Sequence, residues 1–82
     1  MNVVAIITKD KCVWCDKVKK MLREYPNVLI YEYNLNIEPT MLDFMVSAGF
    51  KTVPLVFHNG YLVGGYEDSV KYFGGLLDDG FN

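Results

Sequence analysis

Residues Val3–Ile7 form an unbroken aliphatic run, and a helical pattern begins only a few polar residues later. A continuous rather than alternating run suits a strand buried on both faces. Val18, Met21, Leu22 and Tyr25 then recur at i, i+3, i+4 and i+7, which predicts a helix from Val13 to about Tyr25, ended by Pro26-Asn27. Val28–Tyr33 is rich in β-branched and aromatic residues and predicts a second strand. Strand, helix and strand in that order require two parallel strands joined by a right-handed crossover.

The rest of the chain changes character. Pro39 suits the first turn of a second helix, with Met41, Phe44, Met45 and Ala48 as its apolar face and Gly49 as its stop. Leu55–His58 and Tyr61–Val63 flank Asn59-Gly60, a pair that tolerates positive φ at both positions of a type I′ hairpin turn. A last helix is expected from about Glu67 to Phe73, ended by Gly74-Gly75. The predicted order is β-α-β-α-β-β-α in one domain spanning residues 1–82, without linker, repeat or low-complexity segment.

A hydrophobic fraction of 51% supports a packed globule in so short a chain. A net charge of −2 argues against nucleic acid as a partner. No apolar stretch reaches the length of a membrane span, and Val3–Ile7 is too short for a signal-peptide core. A monomer in a reducing cytoplasm is the expectation.

The only two cysteines lie as Cys12-Val13-Trp14-Cys15 between the first strand and the first helix. Three residues apart at a helix start, their Cβ atoms stand about 5–6 Å apart on one face, near disulfide range. The unpaired N–H groups and partial positive charge of a helix N-terminus favour a thiolate there. The arrangement reads as a redox dithiol. An intrachain zinc site would need four ligands, and His58 is the only histidine, so no metal is expected. An inert disulfide would close only a tiny loop in a chain without export signals.

From Val3 to about Gly75 the chain resembles a glutaredoxin. Three separated landmarks carry the likeness: Lys9-Asp10-Lys11-Cys12-Val13-Trp14-Cys15, Thr52-Val53-Pro54, and Gly64-Gly65-Tyr66-Glu67-Asp68. The resemblance implies a thioredoxin-like fold, a four-stranded mixed sheet with three helices. It also implies glutathione-dependent exchange with protein disulfides and glutathione mixed disulfides. Cys12, nearest the helix start and flanked by Lys9 and Lys11, is then the nucleophile, in a setting where thiol pKa values fall to about 3.5–7.5. Cys15, one turn further in, is the resolving thiol. Asp10 and Asp16 oppose the lysines. Val13 stands where the family commonly has proline and supplies one more N–H; Trp14 gives the groove an aromatic wall.

The resemblance also implies a glutathione groove. Pro54 would be cis, leaving the Val53 backbone to pair with the extended tripeptide, with Thr52 alongside. Gly65 permits close backbone approach. The Glu67 amide, with the amide and carboxylate of Asp68, would hold the γ-glutamyl end, although Asp68 also suits a plain helix cap. Lys9 would meet the glycyl carboxylate. Lys51 stands near the place where the family often has Arg or Gln, and is equally readable as a solvated loop lysine. His58, at a strand end, is expected at the surface. Lys17–Lys20 are mostly the solvated face of the first helix, and Tyr31, Tyr33, Phe44, Phe57 and Phe73 are core or half-buried packing residues.

Two other functions remain open. Small redoxins that serve ribonucleotide reductase and are recharged by thioredoxin reductase share this length and a Cys-Val-x-Cys motif. Some glutaredoxins instead hold a [2Fe–2S] cluster between two subunits, with the first cysteine of each and two glutathiones as ligands.

Overall fold

The aliphatic run is strand β1 (Asn2–Thr8), and it sits inside the sheet. The computed structural model describes residues 2–78, so Met1 and residues 79–82 of the expected 1–82 domain lie outside it. After β1 come α1 (Val13–Leu22), β2 (Val28–Asn34), α2 (Thr40–Ser47), β3 (Leu55–His58), β4 (Tyr61–Gly64) and α3 (Tyr66–Asp78). The four strands form one mixed sheet in the order β2-β1-β3-β4. β1 runs parallel to β2, from Asn2 opposite Val28 to Thr8 opposite Asn34. β3 pairs antiparallel with β1 and with β4. The element order and sheet composition are those predicted.

Both faces of β1 are buried, as its composition requires. Val4 and Ile6 pack with Val18, Leu22 and Tyr25, with Val56 of β3, and with Phe73 of α3. Ile7, on the alternate side, joins Met45 of α2 and Leu55. Phe73 is fully buried at the heart of the larger cluster, where truncation to alanine costs about 3–5 kcal/mol. α2 is the lighter cover: Met45 is buried, whereas Phe44 is 49% exposed. Tyr31 on β2 is equally open, and Phe44 packs its ring 6.2 Å from that of Phe57, so both are half-buried packing residues rather than core. The Asn59-Gly60 turn has φ of 50° and 87°, and it is clipped to β1 through Asn59 N–H to Val3 O and Val3 N–H to Asn59 Oδ1.

Two helix ends differ from expectation. α1 stops at Leu22, after which Glu24 and Tyr25 donate to Met21 and Leu22 three residues back. The chain tightens because the residue before a proline is pushed out of the α region. Tyr25 still joins the core and donates its hydroxyl to Phe73 O. α3 runs through Gly74-Gly75 to Asp78. Glycine within a helix costs about 1 kcal/mol but stops it only when it turns left-handed, and positive φ among the described glycines falls at Gly49, Gly60 and Gly64.

Polar side chains supply two more differences. His58 is buried, not at the surface: Nδ1 meets Tyr72 Oη at 2.7 Å and Nε2 meets Asn2 Oδ1 at 3.0 Å. Lys19 is not on a solvated face but lies across β2, 3.0 Å from Glu32, whose carboxylate also accepts from the buried Thr8 hydroxyl at 2.7 Å. The Thr8 bond, followed by Lys19, holds the Glu32 carboxyl below its ordinary value near 4.5. Burial pushes the His58 imidazole below its ordinary value near 6.5. Among the described residues no helix is long and apolar enough to cross a membrane.

These two shifts set an acid limit with a definite sign. Below about pH 6.5 the unfolded chain binds a proton at residue 58 that the folded chain refuses, so stability falls as pH drops. A second loss begins below about pH 4.5, as the pH falls toward the lowered Glu32 value. Urea unfolding between pH 8 and 5 should show the first decline, and His58→Gln should flatten it. An unchanged slope in that variant would assign the decline to another group.

Candidate active site

Cys12 caps α1 with its own sulfur. Its backbone is extended (φ −113°, ψ 102°), and Sγ accepts the Cys15 N–H at 3.2 Å. A helix start needs such an acceptor, and here a cysteine takes the place usually held by Ser, Thr, Asp or Asn. Cys12 and Cys15 are joined as a disulfide with Cα atoms 5.2 Å apart. Cys12 is 7% exposed and Cys15 only 1%, so an incoming sulfur can reach the first more readily than the second. The connection entering the cap bends at Lys11, which has φ of 55°.

Beside the pair lies a groove of about 500 Å³. Trp14 is one wall; Thr52, Val53 and Pro54 form a second; Gly65, Glu67 and Asp68 at the start of α3 form the third. The Val53–Pro54 peptide bond is cis. Seven of the expected groove residues therefore come together. Lys9 and Lys51 are exposed but stand outside its lining. Phe50, Leu55, Gly64 and Tyr66 line it without having been singled out as ligand contacts. Tyr66 had a legible position, inside the Gly64–Asp68 landmark, but nothing in the sequence placed its ring against Trp14. The two rings lie 5.0 Å apart, and Lys17 Nζ sits 4.6 Å from the indole centroid. Trp14 thus has both a ring and a cation against it while staying 52% exposed.

The α3 end of the groove is shaped by Gly64. Its φ is 124°, and a Cβ placed there would stand 2.9 Å from both Cβ and Cγ of Asp68. The Asp68 side chain lies over the glycine in space that any other residue would fill. Ser69 closes the first turn of α3, giving both its N–H and its hydroxyl to Gly65 O. Among the described residues no group of three or more His, Cys, Asp and Glu is gathered to hold a metal.

A family model described as Glutaredoxin matches residues 4–63. The hybrid peroxiredoxin hyPrx5 of Haemophilus influenzae is 34% identical over 70 residues, covering 85% of this chain; the chain spans only 29% of that relative. The glutaredoxin-like protein NrdH of Lactococcus lactis subsp. cremoris is 25% identical over 67 residues, 82% of this chain and 92% of the relative. Glutaredoxin 1 of Francisella tularensis superposes with a TM-score of 0.75 at 22% identity, covering 95% of this chain and 99% of the other. The fold is thioredoxin-like.

Gly64→Ala should lower stability by about 1–3 kcal/mol, from left-handed strain and collision with Asp68. Gly65→Ala should be nearly neutral, since its Cβ would meet only Pro54 O at 3.7 Å. Equal urea midpoints for the two variants would contradict this account of the groove floor.

Proposed function

This chain belongs to the glutaredoxin family of thiol–disulfide oxidoreductases, and we propose that glutathione is its reductant. The observation that supports this most is the groove, with Trp14 at one side and the acidic start of α3 at the other. Peptide N–H groups at the start of α3 suit the γ-glutamyl carboxylate, and the Asp68 carboxylate suits the adjacent ammonium. Val53 offers backbone to an extended peptide beside Thr52 and Pro54, and Gly65 lets that peptide come close. Glu67 contributes its amide, while exposed Lys9 and Lys51 supply cations for the glycyl carboxylate from outside the lining.

In this reading the Cys12 thiolate attacks one sulfur of a substrate disulfide. A new Cys12–substrate disulfide forms and the other substrate sulfur leaves as a thiolate. Cys15, deprotonated, then attacks Cys12 Sγ, releasing the second substrate thiolate and closing the Cys12–Cys15 disulfide. Two electrons pass from the dithiol to the substrate. Two glutathiones reverse the change and depart as glutathione disulfide. Protein disulfides and glutathione mixed disulfides are the substrates, in the cytoplasm, with the chain acting as a monomer. Ribonucleotide reductase is the first client to assay, and the hybrid relative's name adds a peroxiredoxin.

One observation favours a second reading. Val13, 63% exposed, and Trp14 make an apolar surface next to Cys12, suited to protein docking and to recharging by thioredoxin reductase. Purified oxidised protein offered glutathione or thioredoxin reductase with NADPH, in separate cuvettes, decides between them. Rapid reduction by glutathione is expected; reduction by the reductase alone would withdraw the groove assignments. A brown anaerobic protein whose absorption is lost in Cys12→Ser would instead indicate the [2Fe–2S] form.

Substitutions test the division of labour. Cys12→Ser should abolish all exchange. Cys15→Ser should keep glutathione mixed-disulfide reduction and lose protein disulfide reduction, and equal loss of both would reverse the two roles. Asp68→Ala should raise KM for glutathionylated substrate about tenfold, the scale of one hydrogen bond to a charged group, with the unfolding midpoint kept. An unchanged KM would leave Asp68 as a helix cap.

A further inference from the structure

The three residues Lys9-Asp10-Lys11 join β1 to the Cys12 cap, and they take a course that an isolated chain would avoid. Lys11 is in the left-handed region, with φ of 55°. A non-glycine residue stays there only when its surroundings hold it. The hold comes from the segment after β2. Asp10 N–H donates to Asn36 Oδ1 at 2.8 Å, and Asn34 Nδ2 donates to Asp10 Oδ1 at 3.0 Å. Asn34 Oδ1 in turn accepts the Asn36 N–H at 2.8 Å, while Leu35 N–H donates to Thr8 O at 2.8 Å.

The chemistry of the two asparagines is specific. Asn34 must accept from a backbone N–H with one atom and donate to a carboxylate with the other, which only an amide side chain does at this length. The same partners fix which of its terminal atoms is nitrogen. Asn36 faces a backbone N–H and so presents oxygen. The Asn34 backbone carbonyl is also committed, to the N–H groups of Ile37 and Glu38 at 2.9 and 2.7 Å. The residues meeting Asp10 are thus themselves held, and the Asp10 carboxylate, two positions before Cys12, is engaged by Asn34.

We infer that Asn34 and Asn36 are positioning residues for the exchange reaction, acting through Asp10 to set where the Cys12 sulfur stands against the Cys15 N–H. This rests on the reading of Cys12 as the attacking thiol. With the clamp in place, the loop delivers Cys12 in the extended conformation that caps α1, 3.2 Å from the N–H that steadies its sulfur. Without it, Lys11 relaxes from its left-handed conformation and the cap is formed for only part of the time.

The test reads the rate at which iodoacetamide alkylates Cys12 in the reduced full chain at pH 7, with the site of labelling identified by mass. Circular dichroism at the same temperature checks that each variant is folded. Asn34→Asp keeps the acceptor for Asn36 N–H but sets two carboxylates against each other, and should slow Cys12 labelling about tenfold, the scale of one charge-assisted hydrogen bond. Combining it with Asp10→Asn exchanges donor and acceptor at constant net charge and should restore the rate to within about twofold of the parent. Asn36→Ala, which removes only the bond from Asp10 N–H, should slow labelling too and carries the test alone if Asn34→Asp does not fold. Unmoved rates in the folded single variants, or no recovery in the exchanged pair, would overturn the clamp while leaving Cys12 as nucleophile. Labelling of Cys15 ahead of Cys12 in the parent protein would overturn the underlying assignment and the clamp with it.

Discussion

Everything that could perform chemistry here is placed by the register of β1. Its last residue, Thr8, lies opposite Asn34 at the end of β2, and Ile7 lies opposite Leu55 at the start of β3. Val56 then pairs with Gly64 at the end of β4. The Cys12 loop, the Asn34–Asn36 segment, Thr52-Val53-Pro54 and Gly64-Gly65 therefore all emerge at one end of the sheet. Active residues gather at such strand ends because the buried strands are rigid while the connections beyond them are free to vary. Slipping β1 by one residue would turn Val4 and Ile6 out of the core that α1 and α3 cover.

The same end receives the N-termini of α1 and α3, and they present different partners to a ligand. α1 meets a sulfur, since Cys12 is both its cap and half of the redox pair. α3 meets the groove, with Glu67 and Asp68 in its first turn and Gly64 leaving room for the Asp68 side chain. Trp14 and Tyr66 touch across the interval, one from each helix start. An aromatic contact there ties the wall beside the cysteines to the groove's other end without any covalent link.

Where a residue's partner is near in sequence, or its backbone demand is unusual, the sequence was a good guide. The β1 run, the Asn59-Gly60 turn and the Cys12–Cys15 spacing are of that kind. Aliphatic composition announces two-sided burial, Asn-Gly announces positive φ, and i, i+3 spacing announces a shared helix face. What stayed illegible depends on contacts made across the sheet. His58 looked like a strand-end surface residue because Tyr72 and Asn2, its partners, lie 14 and 56 positions away. Lys19 looked solvated because Glu32 belongs to another strand. Asn34 and Asn36 carried no motif at all, since their meaning comes only from the loop that β1 sets beside them. At α3, a sound local rule misled: Gly74-Gly75 can end a helix but does so only with left-handed backbone.

The cap at Cys12 links the redox state to the stability of α1. A neutral disulfide sulfur is a weak acceptor for the Cys15 N–H, whereas a thiolate at a helix N-terminus is a strong one and also meets the positive end of the helix dipole. Reduction therefore strengthens the cap, and whatever stabilises the thiolate makes the disulfide easier to reduce. The two cannot be tuned separately, because one sulfur serves both. A tighter cap gives a more populated thiolate, but also one of lower intrinsic nucleophilicity and a dithiol that yields its electrons less readily. Lys9 and Lys11 push in one direction, Asp10 and Asp16 in the other. Asp16 is drawn partly toward Lys19, 3.7 Å away, and Asp10 is bound to Asn34. The carboxylates that flank the cysteine pair in sequence are thereby each given a partner of their own, which weakens their opposition to negative charge at the Cys12 cap.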